Sequence, residues 1–432
     1  MCSKHLSRRV FVKRSGHITA LGLFTPSFMS FNNTNNYLSQ SGDSVDASTD
    51  FVSGGGSITL VKNDPVTLTL KPHNQNNGGW SQVWWYFKLE GVTPGEEVTL
   101  QLEIGNPRIS GISPKATFSY DQTSWGLTNT GKLEVIDGQE FLVYKHVVRN
   151  DKVWFAYDLP YTPEIMENDL LPKAFRDVGV DVYELSKTLK NRSVKALSFK
   201  SPDSKSEKYG IWLQARCHAF ESGSSWVLHH LADWLLSNDP KALMLREIAD
   251  INIVPIVDLD SVVEGRTGKM QLPYDHNRGW YEEPGHWPEV RAIKGQIKEL
   301  SNQNKADMFI DFHGPGGESH PYFIVPVSKH LPARKQSQNR AKFFDILGAK
   351  PMSDKLSQTQ SMNQICYSAR ENEINKGNST SWVINNSTDC MVGLTIEVNM
   401  NTPLSTIEGY RSEGTVLGQA IADYFVGGHH QK

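Results

Sequence analysis

From about Glu207 to the end of the chain, short apolar strands alternate with helical stretches, and no other feature constrains the fold as much. The strand "YGIWLQARC" is followed by a helix near Ser225–Ser237 and then by "INIVPIVD". A helix near Glu289–Leu300 leads to "DMFIDFHG" and "PYFIVPV". Helical patterns near Leu331–Leu347 and Asp354–Glu373 precede "VGLTIEV", and "EGYRSEGTVLGQAIADYFVG" closes the chain. Such alternation predicts an α/β domain over 202–428, with helices packed on a mostly parallel or mixed sheet. Ligand sites in these sheets lie outside the carboxyl ends of strands. His218 and His313 both fall at such ends.

The preceding stretch follows a different rule. From about Phe51 to Ser201, short runs such as "VTLTLKP", "EEVTLQLEIG" and "KVWFAYDLP" recur with period-two alternation. They predict an antiparallel β-sandwich over 51–201. Residues 31–50 are polar and aromatic-poor and read as a linker. Within residues 1–30, "SRRVFVK" (Ser7 to Lys13) has the form of a twin-arginine export signal, which implies a periplasmic or extracellular protein. The alternative is a basic, unstructured N-terminus on a cytoplasmic protein. The apolar run that follows, "ITALGLFTPSFMSF", is too short and too broken by Pro26 for stable membrane insertion.

The 432 residues suffice for two or three domains. A net charge of −3, with no lysine/arginine block, offers nothing to a nucleic acid. The four cysteines, Cys2, Cys217, Cys366 and Cys390, are too few and too scattered for a disulfide scaffold or a thiolate metal site, and an oxidising compartment would leave pairing of Cys366 with Cys390 open.

His218 and Glu221 stand three apart in "ARCHAFESGSSW", where a strand gives way to a helix. With His313 of "DFHGPGG" they would form a His₂Glu set, one of the recurring three-ligand sets of catalytic zinc. Taken alone, Glu221 reads equally as a helix cap and His218 as a hydrogen-bonded strand-end residue. His229 and His230 lie on a helix with Trp226 and Trp234 and read as packing or surface residues, and His320 as structural. Asp311, on the same strand face as His313, is placed to orient it. Asn277 and Arg278 in "YDHNRGW" offer an amide beside a guanidinium fork, a pairing that binds a carboxylate. Glu397 stands in the apolar strand "LTIEVNM", where an ionised carboxylate needs compensation: a metal-activated water makes it a general base, and a buried arginine would make it a salt bridge.

These residues together resemble the zinc metallocarboxypeptidases, specifically the cytosolic-carboxypeptidase-like branch and its bacterial relatives. The branch's R-x-H-P-G-E is met by "RCHAFE", its N-P-D-G by "DLDS", its D-x-N-R by "DHNR", its D-x-H-G by "DFHG", and its late strand glutamate by "TIEV". Its N-terminal sandwich ends in F-x-Y-x-x-P-Y-T, close to "FAYDLPYT" (Phe155 to Thr162). The resemblance therefore covers both domains. It implies a β-sandwich followed by an α/β/α carboxypeptidase domain with a mixed sheet. It also implies one Zn²⁺ per chain on His218, Glu221 and His313, a carboxylate anchor at Asn277 and Arg278, and a general base at Glu397.

The family uses a further arginine on the scissile carbonyl. Arg266 in "VVEGRTGK" is the best match, with Arg216 and Arg246 better explained as strand-end and helix-surface residues. Ala219-Phe220 replaces the Pro-Gly between the ligands, and Asp258 to Ser261 replaces the N-P-D-G turn. Both departures bear on loop shape and specificity. Tyr367 and Trp382 are candidates for the family's mobile tyrosine, and Arg370 and Lys376 read either as a preference for acidic termini or, equally, as a solvated helix face.

The activity implied is hydrolysis of the C-terminal residue of a peptide or protein by metal-activated water. The alternatives are a zinc amidase or deacylase acting on cell-wall peptides or acyl-amino acids, and a non-catalytic peptide- or glycan-binding protein whose aromatic sandwich makes the contacts.

Overall fold

The computed structural model describes residues 45–73, 83–104, 113–200, 209–316, 319–351, 364–368 and 377–432. The twin-arginine stretch, most of the 31–50 linker, Arg370 and Lys376 lie outside the described residues. The linker stops earlier than its polarity suggests: Asp46–Ser48 pairs antiparallel with Tyr86–Glu90 as a three-residue edge strand. Short polar edge strands are common sheet terminators, and composition alone does not separate them from loop.

Two five-stranded sheets form the sandwich. One runs Asp46–Ser48, Tyr86–Glu90, Lys152–Ala156, Thr117–Ser119, Trp125–Leu127; the other runs Ser57–Asn63, Val66–Lys71, Glu97–Glu103, Gln139–Val147, Lys132–Ile136. Neighbours are antiparallel except for Val66–Lys71 beside Glu97–Glu103. The period-two pattern does what it predicts: Val66, Leu68 and Leu70 on one strand and Val98, Leu100 and Leu102 on the next are buried with Trp85, Phe87 and Phe155.

The nine-stranded mixed sheet is ordered Val180–Lys187, Ser193–Phe199, Ala249–Val254, Tyr209–Ala215, Met308–His313, Val392–Glu397, Tyr322–Pro326, Gln364–Ser368, Lys350–Pro351. Its centre is four parallel strands, Ala249–Val254 to Val392–Glu397. The stretch 51–201 is thus shared between layers. Its last two strands form a hairpin whose inner member pairs antiparallel with Ala249–Val254. Alternating strands look alike whichever sheet they join, so this choice is a tertiary one. Likewise Gln364–Ser368, inside the helix expected over Asp354–Glu373, is a strand parallel to Tyr322–Pro326.

Helices Ser222–Leu235, Pro240–Ile248, Arg334–Leu347 and Ile407–Val426 pack as one group, and Pro288–Asn302 with Ser379–Asn386 as another. Ile407–Val426 lies very close to Ser222–Leu235, because a Cβ on Gly414 would come within 2.4 Å of the Val227 carbonyl oxygen. From Asp43 onward the chain forms one compact unit.

Candidate active site

The chain leaves Tyr209–Ala215 towards Ala249–Val254 on one side and returns to Met308–His313 on the other. The two middle strands therefore meet at a topological switch point, where open α/β sheets form ligand crevices. His218 and Glu221 occupy the turn between Tyr209–Ala215 and the helix Ser222–Leu235. His313 ends its strand, and Glu397 ends the next one, directly in register with it.

Arg216 makes the first turn possible. Its φ of +67° is left-handed, a strained conformation for a side chain of this size. The guanidinium is buried and donates from Nε to the Ala219 carbonyl at 2.7 Å and from Nη1 to the Tyr161 carbonyl at 3.1 Å. Burial pulls its pKa down to about 10, so it stays charged, with Glu221 the nearest compensating charge.

The three expected ligands converge. Nδ1 of His218 lies 2.9 Å from Oε1 of Glu221, and Nδ1 of His313 lies 2.8 Å from Oε2. All three side chains are buried, with donor atoms within 4.8 Å of one another. Although Glu221 is the first residue of the helix turn, its side chain makes no capping hydrogen bond. The outward nitrogens face carboxylates: Nε2 of His218 lies 3.4 Å from Asp275, without hydrogen-bond geometry, and Nε2 of His313 lies 3.0 Å from Asp311. Asp311 in turn accepts from the Ser379 hydroxyl and from Gln214 at 3.3 Å. A proton on the Nε2 beside such a carboxylate is the arrangement in which Nδ1 can turn its lone pair to a cation. Burial opposes the charge on Glu221, His313 and Asp275. Even so, the histidines hold Glu221 well below the usual carboxylate range, and Asp311 and Glu221 hold His313 well above the usual imidazole range. His218, Arg278 and Lys269 keep Asp275 ionised in the same way.

Glu397 Oε2 is shielded from solvent and has no hydrogen-bond partner. Burial, and after it the charge of Glu221, pushes its pKa up; His313, Lys269 and His218 pull in the other direction. Asn277 and Arg278 differ in their contacts. The Asn277 amide is already engaged, Nδ2 at 3.1 Å from His313 Nε2 and Oδ1 accepting from the Ser379 amide at 2.9 Å. Arg278 is half-buried, its Nη1 bonded to the Asn277 carbonyl at 2.8 Å.

Arg266 is not brought to the cluster. Its Nε pairs with Glu264 at 2.9 Å, its side chain is 44% exposed, and Glu264 is shared with Lys190 and Arg192. The cation that reaches the ligands is Lys269, whose Nζ is 3.7 Å from Glu221 Oε1. Sequence reading missed Lys269 and Asp275. A lysine in a glycine-bearing loop carries no local signal, whereas Asp275 was legible as the first residue of "DHNR". Trp382 is buried against Trp280, and Cys366 and Cys390 are free thiols. His229, expected as a packing or surface residue, is buried and bonded to Tyr161 and Asp169.

The sandwich supports this site from behind. Phe220, between the ligands, and Met400, beyond Glu397, are buried in the sandwich core. Tyr157 accepts from Asn401 at 3.1 Å, and Thr267 accepts at its carbonyl from the Phe220 amide at 3.0 Å.

Residues 178–283 match the zinc carboxypeptidase family, and residues 47–157 match the cytosolic carboxypeptidase N-terminal domain. The chain carries a zinc carboxypeptidase domain preceded by a cytosolic carboxypeptidase N-terminal domain. Among relatives, cytosolic carboxypeptidase 6 of Caenorhabditis elegans is 26% identical over 291 residues, 61% of each chain. Cytosolic carboxypeptidase 2 of Mus musculus is 24% identical over 63% of this chain and 34% of its own length. The chain thus spans less than two thirds of either relative. A metallo-carboxypeptidase from Burkholderia cenocepacia has the same fold, with a TM-score of 0.72 over 89% of this chain and 99% of that one, at 21% identity. One from Pseudomonas aeruginosa gives 0.69 over 88% and 99% at 19%. The donor set here fits the family's metal: two imidazole nitrogens and a carboxylate, carboxylate-backed and buried, the set that catalytic zinc favours.

Proposed function

We propose that this chain is a zinc-dependent carboxypeptidase that removes the C-terminal residue of a peptide or protein. The observation that carries the reading is the His218–Glu221–His313 cluster at the switch point, with Glu397 in register beside it and its Oε2 unpartnered. His218, Glu221 and His313 would hold a zinc ion, which would supply a water activated at neutral pH, its pKa lowered towards ~7, and a Lewis acid for the scissile carbonyl. Glu397 accepts the water proton at Oε2 and returns it to the departing amine. Arg278 takes the terminal carboxylate through its remaining guanidinium donors, while Asn277 holds His313 and the Ser379 amide in place.

Zinc-loaded protein is incubated with peptides that are either free acids or C-terminal amides, and the products are read by mass spectrometry. Single-residue loss from the free acids alone is the expected outcome. Cleavage of both forms would favour an amidase. Glu397→Gln keeps its zinc and loses about 10²–10⁴ in turnover; a zinc-replete variant with wild-type turnover would remove Glu397 from the mechanism.

A further inference from the structure

The structure assigns to Lys269, a residue outside the family motifs, the place where negative charge on the scissile carbonyl oxygen is met. This inference rests on the carboxypeptidase reading and refines it, because the motif-based expectation put that task on Arg266. Two observations separate the candidates. Arg266 is tied to Glu264 and 44% exposed, whereas Lys269 Nζ lies 3.7 Å from a ligand oxygen with its side chain only 18% exposed. The Lys269 ammonium stands over the Phe220 ring, Nζ 5.7 Å from its centroid, so it sits against an aromatic face beside the cluster.

The loop is built to hold it there. Gly268, at φ +75°, lies so close to the ligand turn that a Cβ would stand 2.3 Å from the Ala219 nitrogen and 2.8 Å from Asp258 Oδ2. On the other side, Met270 also has a positive φ, +59°, and its amide donates to Asp275 Oδ2 at 3.3 Å. Lys269 is therefore pinned between the turn that carries His218 and Glu221 and the carboxylate that backs His218. Its charge is felt at both Asp275 and Glu397, as expected of a cation standing among the three acidic groups. A fixed positive charge in a buried crevice is most effective against charge that appears only in the transition state, since nothing has to reorganise to meet it. A point-charged ammonium on a flexible stem differs from a planar guanidinium fork, so the two are not interchangeable at this position.

The test uses the full chain loaded with zinc and compares Lys269→Gln, Lys269→Arg and Arg266→Gln by kcat, KM, zinc affinity from chelator competition, and affinity for a phosphonate dipeptide. Lys269→Gln is expected to lose about 10²–10³ in kcat with KM little changed. Its zinc affinity should stay at the wild-type level, and its phosphonate binding should weaken in proportion to kcat. Lys269→Arg should recover part of the loss, and Arg266→Gln should lose far less. Wild-type turnover in Lys269→Gln, or a loss that merely follows lost zinc, would overturn the assignment. The carboxypeptidase reading fails separately, if wild-type protein releases no residue from any free-acid peptide. The phosphonate then decides alone: weaker binding by Lys269→Gln supports the assignment and equal binding overturns it.

Discussion

At the residue scale, the side chains that hold the ligands matter as much as the ligands. Asp311 accepts from His313, Ser379 and Gln214 and is fully buried, so its charge is supported from several directions. Asp311→Asn removes the acceptor that fixes the His313 tautomer. Zinc affinity is expected to fall by about 10–100-fold, measured by chelator competition. Unchanged affinity would mean that the Asp311 contact does not set the His313 tautomer. Much of this was legible from sequence. Asp311 shares a strand face with His313 through simple alternation, and the ligands follow motif order. Lys269 was not legible, because its position depends on a loop folding back on a turn fifty residues earlier in the chain.

At the scale of elements, loops rather than strands decide the chemistry. The segment from Ser261 to Arg278 brings Lys269, Asp275, Asn277 and Arg278 to the strand ends, and its shape depends on the left-handed Gly268. Gly268→Ala should shift the loop, because the added methyl meets backbone at 2.3 Å and alanine resists φ +75°. A loss of about 1 kcal/mol or more of stability is expected, read as a lower melting temperature, together with a fall in kcat. Unaltered melting and kcat would show that the turn has slack. The regular elements were more readable. Helices expected near Ser225–Ser237 and Glu289–Leu300 are Ser222–Leu235 and Pro288–Asn302. The failure at Gln364–Ser368 has a clear cause: a short run of mixed residues takes its state from the strand beside it, here Tyr322–Pro326.

At the scale of the whole molecule, "FAYDLPYT" is a seam. Tyr157 bonds Asn401, Asp158 accepts from Ser222 and Tyr410, Pro160 accepts from Trp226, and Tyr161 bonds His229 and Arg216. One stretch thus ties the sandwich to the ligand turn and to the closing helix. That helix carries Glu413, a buried carboxyl that accepts the Asn399 amide at Oε2 while Oε1 has no partner. Burial raises its pKa from 4.5 to about 8, with the Asn399 hydrogen bond opposing. Between these values the folded protein binds a proton that the unfolded chain does not, so this contribution to stability falls as pH rises from about 4.5 to about 8. Glu413→Gln keeps an acceptor and removes the titration. Its melting temperature should match that of the parent in the acid range and exceed it above about pH 8. Parallel curves across the range would show that Glu413 does not titrate as its burial implies.

The sequence by itself predicted the two-part architecture, the family resemblance, and the set His218, Glu221, His313 and Glu397 that the fold brings together. These depend on hydrophobic periods and on motifs a few residues long, whose geometry follows from the strand or turn that carries them. Only the tertiary structure decided which sheet the hairpin Val180–Phe199 joins, that Asn277 backs a histidine, and that Lys269 rather than Arg266 faces the metal ligands. Those outcomes are set by contacts between segments far apart in the chain. A charge on a loop reaches a site, or is spent on a nearer carboxylate such as Glu264, according to how the loop folds back.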